Sequence, residues 1–198
     1  GLGNILLYYV RDNGYPFEVN LLDIACGNGR NAFPLADLGF KVFGIDGIPQ
    51  AIEDARKKAQ ELDLAGETEF VIGDVGEKWP YEDNYFDYAI DSNSFSSLLR
   101  EDRDVYVDEL SRVLEPGGLF FLYTYTKDDE YYAQFIPSEE SDNDPVQIHC
   151  PDDGVDRVLH SQDALINLFA NEFEIIFNDT IVRYGKMFDE YYKGWLGF

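Results

Sequence analysis

Four acids and two glycines carry most of the chemistry open to this sequence. The run Leu21-Leu22-Asp23-Ile24-Ala25-Cys26-Gly27-Asn28-Gly29-Arg30 reads as a buried strand feeding a glycine turn, and Asp46 follows at the tip of the next strand. Glycines carry no side chain, so the backbone of such a turn can touch a ligand. A carboxylate at a fixed strand end can accept hydrogen bonds from both hydroxyls of a ribose. This is how an open α/β sheet holds an adenosine-bearing cofactor. Asp74 ends a third predicted strand, with Val75 after it. Asp23 stands four residues before Gly27, where it holds the turn or a cofactor amino group. Asp91, Ser92, Asn93 and Phe95 follow a fourth strand. A carboxylate there can take a proton from an acceptor or orient a cationic one, and in a plainer reading it caps a turn with Ser92 and Ser94.

These positions need a framework, and the periodicity supplies one. Residues 2–12 read as a helix with Leu2, Ile5, Leu6, Tyr9 and Val10 on one face, broken by Gly14 and Pro16. Strands are expected over 20–25, 41–45, 68–72, 85–90 and 119–125. Helices are expected over about 29–38, 49–64 and 101–114, the last with Val105, Leu110, Val113 and Leu114 inward. Pro116-Gly117-Gly118 reads as a tight turn. Strand and helix alternate from 20 to 125, which predicts a parallel sheet with helices on both faces. In such a sheet ligands bind outside the carboxyl ends of the strands, at the switch point. Asp23, Gly27, Asp46, Asp74 and Asp91 all fall at or near those ends. The segment 127–158 is rich in acids and reads as too polar to be core, so it is expected to be a lid or a mobile surface loop. A helix near 161–171 capped by Ser161, a strand over 173–182, and the start of a last strand at 195–198 complete the pattern.

The turn Gly27-x-Gly29-x-x-Ala32 fits a dinucleotide fingerprint as well, so the glycines alone leave an NAD-dependent oxidoreductase open. Three features separate the readings: Asp23 inside the first strand, Asp74 at the third, and Leu114-Glu115-Pro116-Gly117-Gly118 before the fifth. In order and spacing, LLDIACGNGR, VFGID, VIGDV, FDYAIDSNSF and LSRVLEPGGLFFL resemble the class I S-adenosylmethionine (SAM)-dependent methyltransferases. Within them, CGNGRNAFPLADLGFKVFGID is similar to the small-molecule branch, the tellurite-resistance and thiopurine-type enzymes. The resemblance implies a single Rossmann-like domain over 1–198, doubly wound, with a mostly parallel seven-stranded sheet. It implies SAM as cofactor and S-adenosylhomocysteine as product. The contacts it implies are Asp23, Ala25, Gly27, Gly29, Arg30, Asp46, Gly47, Asp74, Val75, Asp91 and Ser92, with Asp91 also the candidate catalytic group. The helix beginning near Gly29 would present free N–H groups to the methionine carboxylate. Methyl transfer to a small-molecule acceptor is the function expected, and a non-catalytic SAM-binding protein is a further alternative.

Composition narrows the partners. The formal net charge is -24, from 39 acids against 15 bases. Such a surface repels phosphate backbones and anionic membranes, so nucleic acid and membrane partners are not expected. The same charge suits a salty milieu or a cationic substrate. No apolar run of membrane-spanning length or leader-like start is visible. Two cysteines, Cys26 and Cys150, and two histidines lie at no metal-binding spacing, so no metal site is expected, and a reduced cytoplasmic setting is the default. Tyr125, Tyr131, Tyr132 and Phe135 could line an acceptor pocket. The neighbours His149 and Cys150 read as incidental, and His160 as structural.

Overall fold

The computed structural model describes residues 2–176, 180–187 and 190–197, with side chains described over 6–176. Two compact units emerge. The first comprises Gly1–Ser92 and Asp104–Phe121, and the second comprises Asn93–Arg103 and Leu122–Phe198.

The first unit is built on strands β1 (Asn20–Ile24), β2 (Lys41–Asp46), β3 (Thr68–Ile72), β4 (Phe86–Ser92) and the start of β5 (Leu114–Tyr125), with helices α1 (Leu2–Asp12), α2 (Ala32–Ala36), α3 (Pro49–Glu61) and α4 (Arg103–Val113). The strand order is β3-β2-β1-β4-β5. The pairs β1–β2, β1–β4 and β2–β3 are parallel, and Ile24 lies level with Ile45 on one side and Asp91 on the other. Leu21, Leu22, Asp23 and Ile24 are at most 1% exposed, so β1 is covered on both faces, as a central parallel strand requires. The order of strand addition reverses between β1 and β4, which puts the switch point beside the glycine turn. Helix α3 buries Ile52, Ala55 and Ala59 at helical spacing and starts with Pro49 in its first turn.

Three expectations change. The helix after the glycine turn is shorter than 29–38: residues 28–31 form a turn and α2 covers only Ala32–Ala36. Left-handed backbone at Gly27 and Gly29, with φ of 55° and 83°, delays helix entry. Strand β5 begins at Leu114 rather than 119, and Gly118 belongs to it. A Cβ there would lie 2.9 Å from the Asp87 carbonyl oxygen of β4, so glycine lets the two strands close. Val105 is exposed, while Leu110, Val113 and Leu114 are buried as expected.

In the second unit, segment 127–158 is not a structureless loop. It holds α5 (Glu130–Ala133), whose N-terminus is capped by the Asp129 carboxylate, and an antiparallel hairpin of β6 (Val146–Cys150) and β7 (Val155–Leu159). Val146, Ile148 and Cys150 alternate with exposed Gln147 and His149, and they bury against Tyr131, Tyr132 and Leu159. The few apolar residues sit at strand period, so a polar average hides a true core. Helix α6 (Gln162–Phe169) is capped by Ser161, whose hydroxyl accepts from the Ala164 N–H at 3.2 Å. Strands β8 (Thr180–Met187) and β9 (Glu190–Gly197) pair antiparallel, and β9 pairs antiparallel with the end of β5 through Thr124 and Tyr125. Of the strand expected over 173–182, residues 173–176 form none and Thr180–Val182 do, while 177–179 and Phe198 lie outside the described residues. No described helix is long and apolar enough to cross a membrane.

Gly44 of β2 meets a steric demand that nothing in the sequence announces. A Cβ there would sit 2.6 Å from Cys26 Sγ and 2.6 Å from the Phe70 ring, both buried. Gly44→Ala is therefore expected to lower stability by about 1–3 kcal/mol. A urea titration would show this as a lower midpoint; an unchanged midpoint would mean that the core relaxes around the methyl.

Candidate functional site

The site starts from one carboxylate. Asp46 ends β2 at 7% exposure, and its two oxygens accept from two different turns. Oδ2 accepts from the Gly27 N–H at 2.8 Å, and Oδ1 accepts from the Ile48 N–H at 2.8 Å. The glycine turn and the entry to α3 are thereby tied to one strand end. Cys26 N–H donates to the Ile45 carbonyl at 3.0 Å, and Gly29 N–H to that of Cys26 at 3.0 Å, which closes the turn. Ala25, Gly27 and Gly29 all have positive φ. A Cβ on Gly27 would meet no atom within 4 Å, so the turn faces open space at that residue. The polar groups that define this loop belong to the turn itself. The five-residue α2 starts too late to offer its N-terminus, which corrects the expected source of carboxylate-binding N–H groups.

Asp23 is 1% exposed, and neither of its oxygens has a hydrogen-bond partner. It therefore does not hold the turn. Burial, joined by the carboxylates of Asp91 and Asp46 and opposed by the Arg30 charge, pushes its pKa up to about 8. A buried carboxyl without a partner costs stability and marks a place where a cationic ligand group would be compensated. Arg30 is exposed, and Gly47 is exposed beside Asp46. Cys26 is buried, and burial raises its thiol pKa, which makes it inert packing.

At β3, Asp74 is exposed and its Oδ1 accepts from the Gly76 N–H at 2.9 Å. That turn presents Val75, whose carbonyl accepts from the indole N–H of Trp79 at 3.1 Å. At β4, Asp91 is fully buried and its Oδ2 accepts from the Tyr106 hydroxyl at 2.7 Å. Ser92 is half-buried at the strand end. The structure thus places Asp23, Ala25, Gly27, Gly29, Asp46, Gly47, Asp74, Val75, Asp91 and Ser92 at the carboxyl ends of β1 to β4 or in the turns that follow, with Arg30 close behind. Sequence reasoning missed Tyr106, Trp79 and Ile48. A tyrosine amid inward positions of α4 and a tryptophan in a polar loop were the available signals, since buried Tyr and Trp need polar partners. Ile48 is 61% exposed next to Asp46, an apolar side chain left uncovered beside that acid.

The aromatics of the second unit have a different role from the one expected. Tyr131 and Tyr132 are buried in the hairpin core with Tyr125 and Phe135 packed against it, so they support that core. His149 and Cys150 point to opposite faces of β6: His149 is exposed and pairs with Asp156 at 2.6 Å, while Cys150 is buried. They do not form a catalytic pair. His160 is buried against the guanidinium of Arg103, and burial together with that charge lowers its pKa to about 4, as suits a structural residue.

Comparison with known proteins then fixes the family. Residues 21–118 match the methyltransferase domain family. That stretch carries a methyltransferase domain of the class I SAM-dependent kind. Over 116 residues it is 35% identical to a sterol 4-C-methyltransferase of Caenorhabditis elegans, covering 58% of this chain and 33% of that protein. Over 139 residues it is 32% identical to a ubiquinone biosynthesis O-methyltransferase of a Chelativorans species, covering 62% of this chain and 51% of that one. The chain thus spans about a third to a half of the length of these curated relatives. A SAM-dependent methyltransferase structure from Methanosarcina mazei superposes with a TM-score of 0.75 over 96% of this chain and 95% of that one, at 22% identity, a likeness of fold. The cofactor of the family is SAM, and neither the oxidoreductase nor the non-catalytic reading gains support from these relatives.

Asp23 makes a stability prediction. Its folded pKa of about 8 lies above the ordinary 3.8, so the folded state holds a proton that the unfolded state has lost. Stability must fall as pH rises from about 4 to about 8, by up to about 1 kcal/mol per pH unit from this group. Asp23→Asn should flatten that slope in ligand-free urea titrations at pH 5 and 8. An identical slope in the variant would mean that Asp23 is ionised at no cost.

Proposed function

We propose that the chain transfers a methyl group from SAM to a small-molecule acceptor, with a hydroxyl or carbon nucleophile as the favoured class. The observation that carries the cofactor half is the pairing of a buried, unpartnered Asp23 with a glycine turn that Asp46 locks open at Gly27. These residues fit the group. Asp23 would pair with the methionine ammonium, the Gly27–Gly29 backbone would hold the methionine part, and Asp46 would use its remaining lone pairs for the ribose hydroxyls. Ile48 offers an apolar face to the adenine ring, and Asp74 and Val75 take its polar edge. Bound SAM supplies an electrophilic methyl group on a sulfonium. The chain's own task is alignment and exclusion of water, which yield most of the rate when the electrophile is already reactive. In this reading Asp91 receives the proton of a hydroxyl acceptor, and the Tyr106 hydroxyl, which donates to one of its oxygens, orients it.

Support for the acceptor class comes from the relatives, whose names cite sterol carbon and ubiquinone-precursor oxygen methylation. The tellurite-resistance or thiopurine type expected from CGNGRNAFPLADLGFKVFGID belongs to this proposal as well, as a softer acceptor for which Asp91 would have little to do. We also keep a seven-stranded, doubly wound sheet in this reading; β9, paired with β5 and β8, supports it.

Transfer of a labelled methyl group should be screened over phenols, sterols and thiols. Methylation of a phenol or sterol, with Asp91→Asn cutting the rate about 100-fold at saturating SAM, is the expected result. A phenol methylated equally fast by the variant would reduce Asp91 to a structural acid. Asp46→Ala should weaken S-adenosylhomocysteine binding by at least about tenfold in calorimetry; unchanged affinity would remove Asp46 from the ribose role.

A further inference from the structure

We infer that one ridge of α4 is the buttress that holds both ends of the cofactor site in register: Tyr106 fixes Asp91, while Glu109 and Arg112 fix the loop after β3. The inference rests on the cofactor reading above, which makes Asp91 and Val75 the two ends. Tyr106, Glu109 and Arg112 are spaced three residues apart, so they follow one ridge of the helix.

The Tyr106 hydroxyl donates to Asp91 Oδ2 at 2.7 Å, and its ring meets the Trp79 indole edge-on, with centroids 5.5 Å apart. Trp79 then joins the helix to the adenine side. Its indole N–H donates to the Val75 carbonyl at 3.1 Å, and its backbone N–H donates to Glu109 Oε2 at 2.7 Å. Arg112 completes the arrangement. Its Nε and Nη2 donate to Glu109 at 2.9 and 2.6 Å, Nη2 also to the Trp79 carbonyl at 3.1 Å, and Nη1 to the Tyr81 carbonyl and Asp83 at 2.8 Å each. All five donors of the guanidinium are therefore used. The Arg112 hydrogen bonds hold the Glu109 carboxyl below its usual range, so it stays charged and keeps accepting.

Space filling alone would not require this. An apolar residue in place of Glu109, at 8% exposure, would fill the volume without desolvating a charge. The arrangement instead fixes the backbone of 75–79 through charge-assisted bonds, which are strong and directional. A shift of α4 would move Asp91 and Val75 together. The geometry therefore makes Tyr106, Trp79, Glu109 and Arg112 positioning residues that touch neither substrate nor cofactor.

The test reads the buttress with and without ligand. Amide hydrogen exchange of the ligand-free protein should quicken at Trp79 in Glu109→Gln. Calorimetry with adenosine and with S-adenosylhomocysteine should show both weakened by the same factor, about fivefold, in Glu109→Gln and in Trp79→Phe, which keeps the ring stacking. Tyr106→Phe should weaken S-adenosylhomocysteine while leaving adenosine at the wild-type affinity. Variants that bind both ligands as the wild type does would overturn the inference. So would equal weakening of both ligands by all three variants, in proportion to lost thermal stability, which is the mark of ordinary core. A wild type that binds neither ligand would overturn the cofactor reading and this inference with it, a distinct result because it is read on the unmutated chain.

Discussion

The two hydrogen bonds accepted by Asp46 are the constraint on which the site depends. Parallel strands end in turns whose N–H groups find no partner in the ladder, and buried groups of this kind must be satisfied. Here one carboxylate satisfies two of them, from Gly27 and from Ile48. It fixes a left-handed glycine turn on one side and the N-cap residue of a helix on the other. Both bonds are charge-assisted, hence stronger than neutral ones. The same acid still has lone pairs to offer a ribose, so in the proposed reading turn geometry and ligand contact would come from one side chain.

Asp23 shows the opposite economy. Its carboxyl is buried beside two other acids and answered by no donor, and its pKa rises accordingly. A structural acid at such a position would have acquired a partner, as Glu109 did from Arg112 and Trp79. The pairing of a satisfied acid and an unsatisfied one at neighbouring strand ends is what a cationic, ribose-bearing ligand would complement. Binding recovers at Asp23 part of what folding gave up there.

The parts of this account that follow short-range rules were readable in the chain. β1 and β2 are mostly apolar, with an acid next to last in β1 and last in β2, and Thr68–Ile72 stands where expected. The helix of 49–64 was readable from its period and its proline, and the cap of α6 from Ser161. What escaped depends on long-range contact. The length of α2 is set by left-handed glycines, whose φ the sequence permits without requiring. Gly44 matters only because Cys26 and Phe70 converge on it. The core of 127–158 escaped because alternate burial in β6 is diluted by its acidic neighbours. Tyr106 and Trp79 sit far apart in sequence and acquire meaning only once α4 lies against the loop after β3.

The central claim is that Asp23 is the seat of a cationic cofactor group. Calorimetric titration with S-adenosylhomocysteine at pH 7, in two buffers of different ionisation heat and with NADH in parallel, tests it most directly. An Asp23 that is largely protonated when free and ionised when paired must shed a proton, so the observed heat should differ between buffers by close to one proton per site, and NADH should give no heat. Binding of S-adenosylhomocysteine with identical heats in both buffers, or binding of NADH in its place, would contradict it.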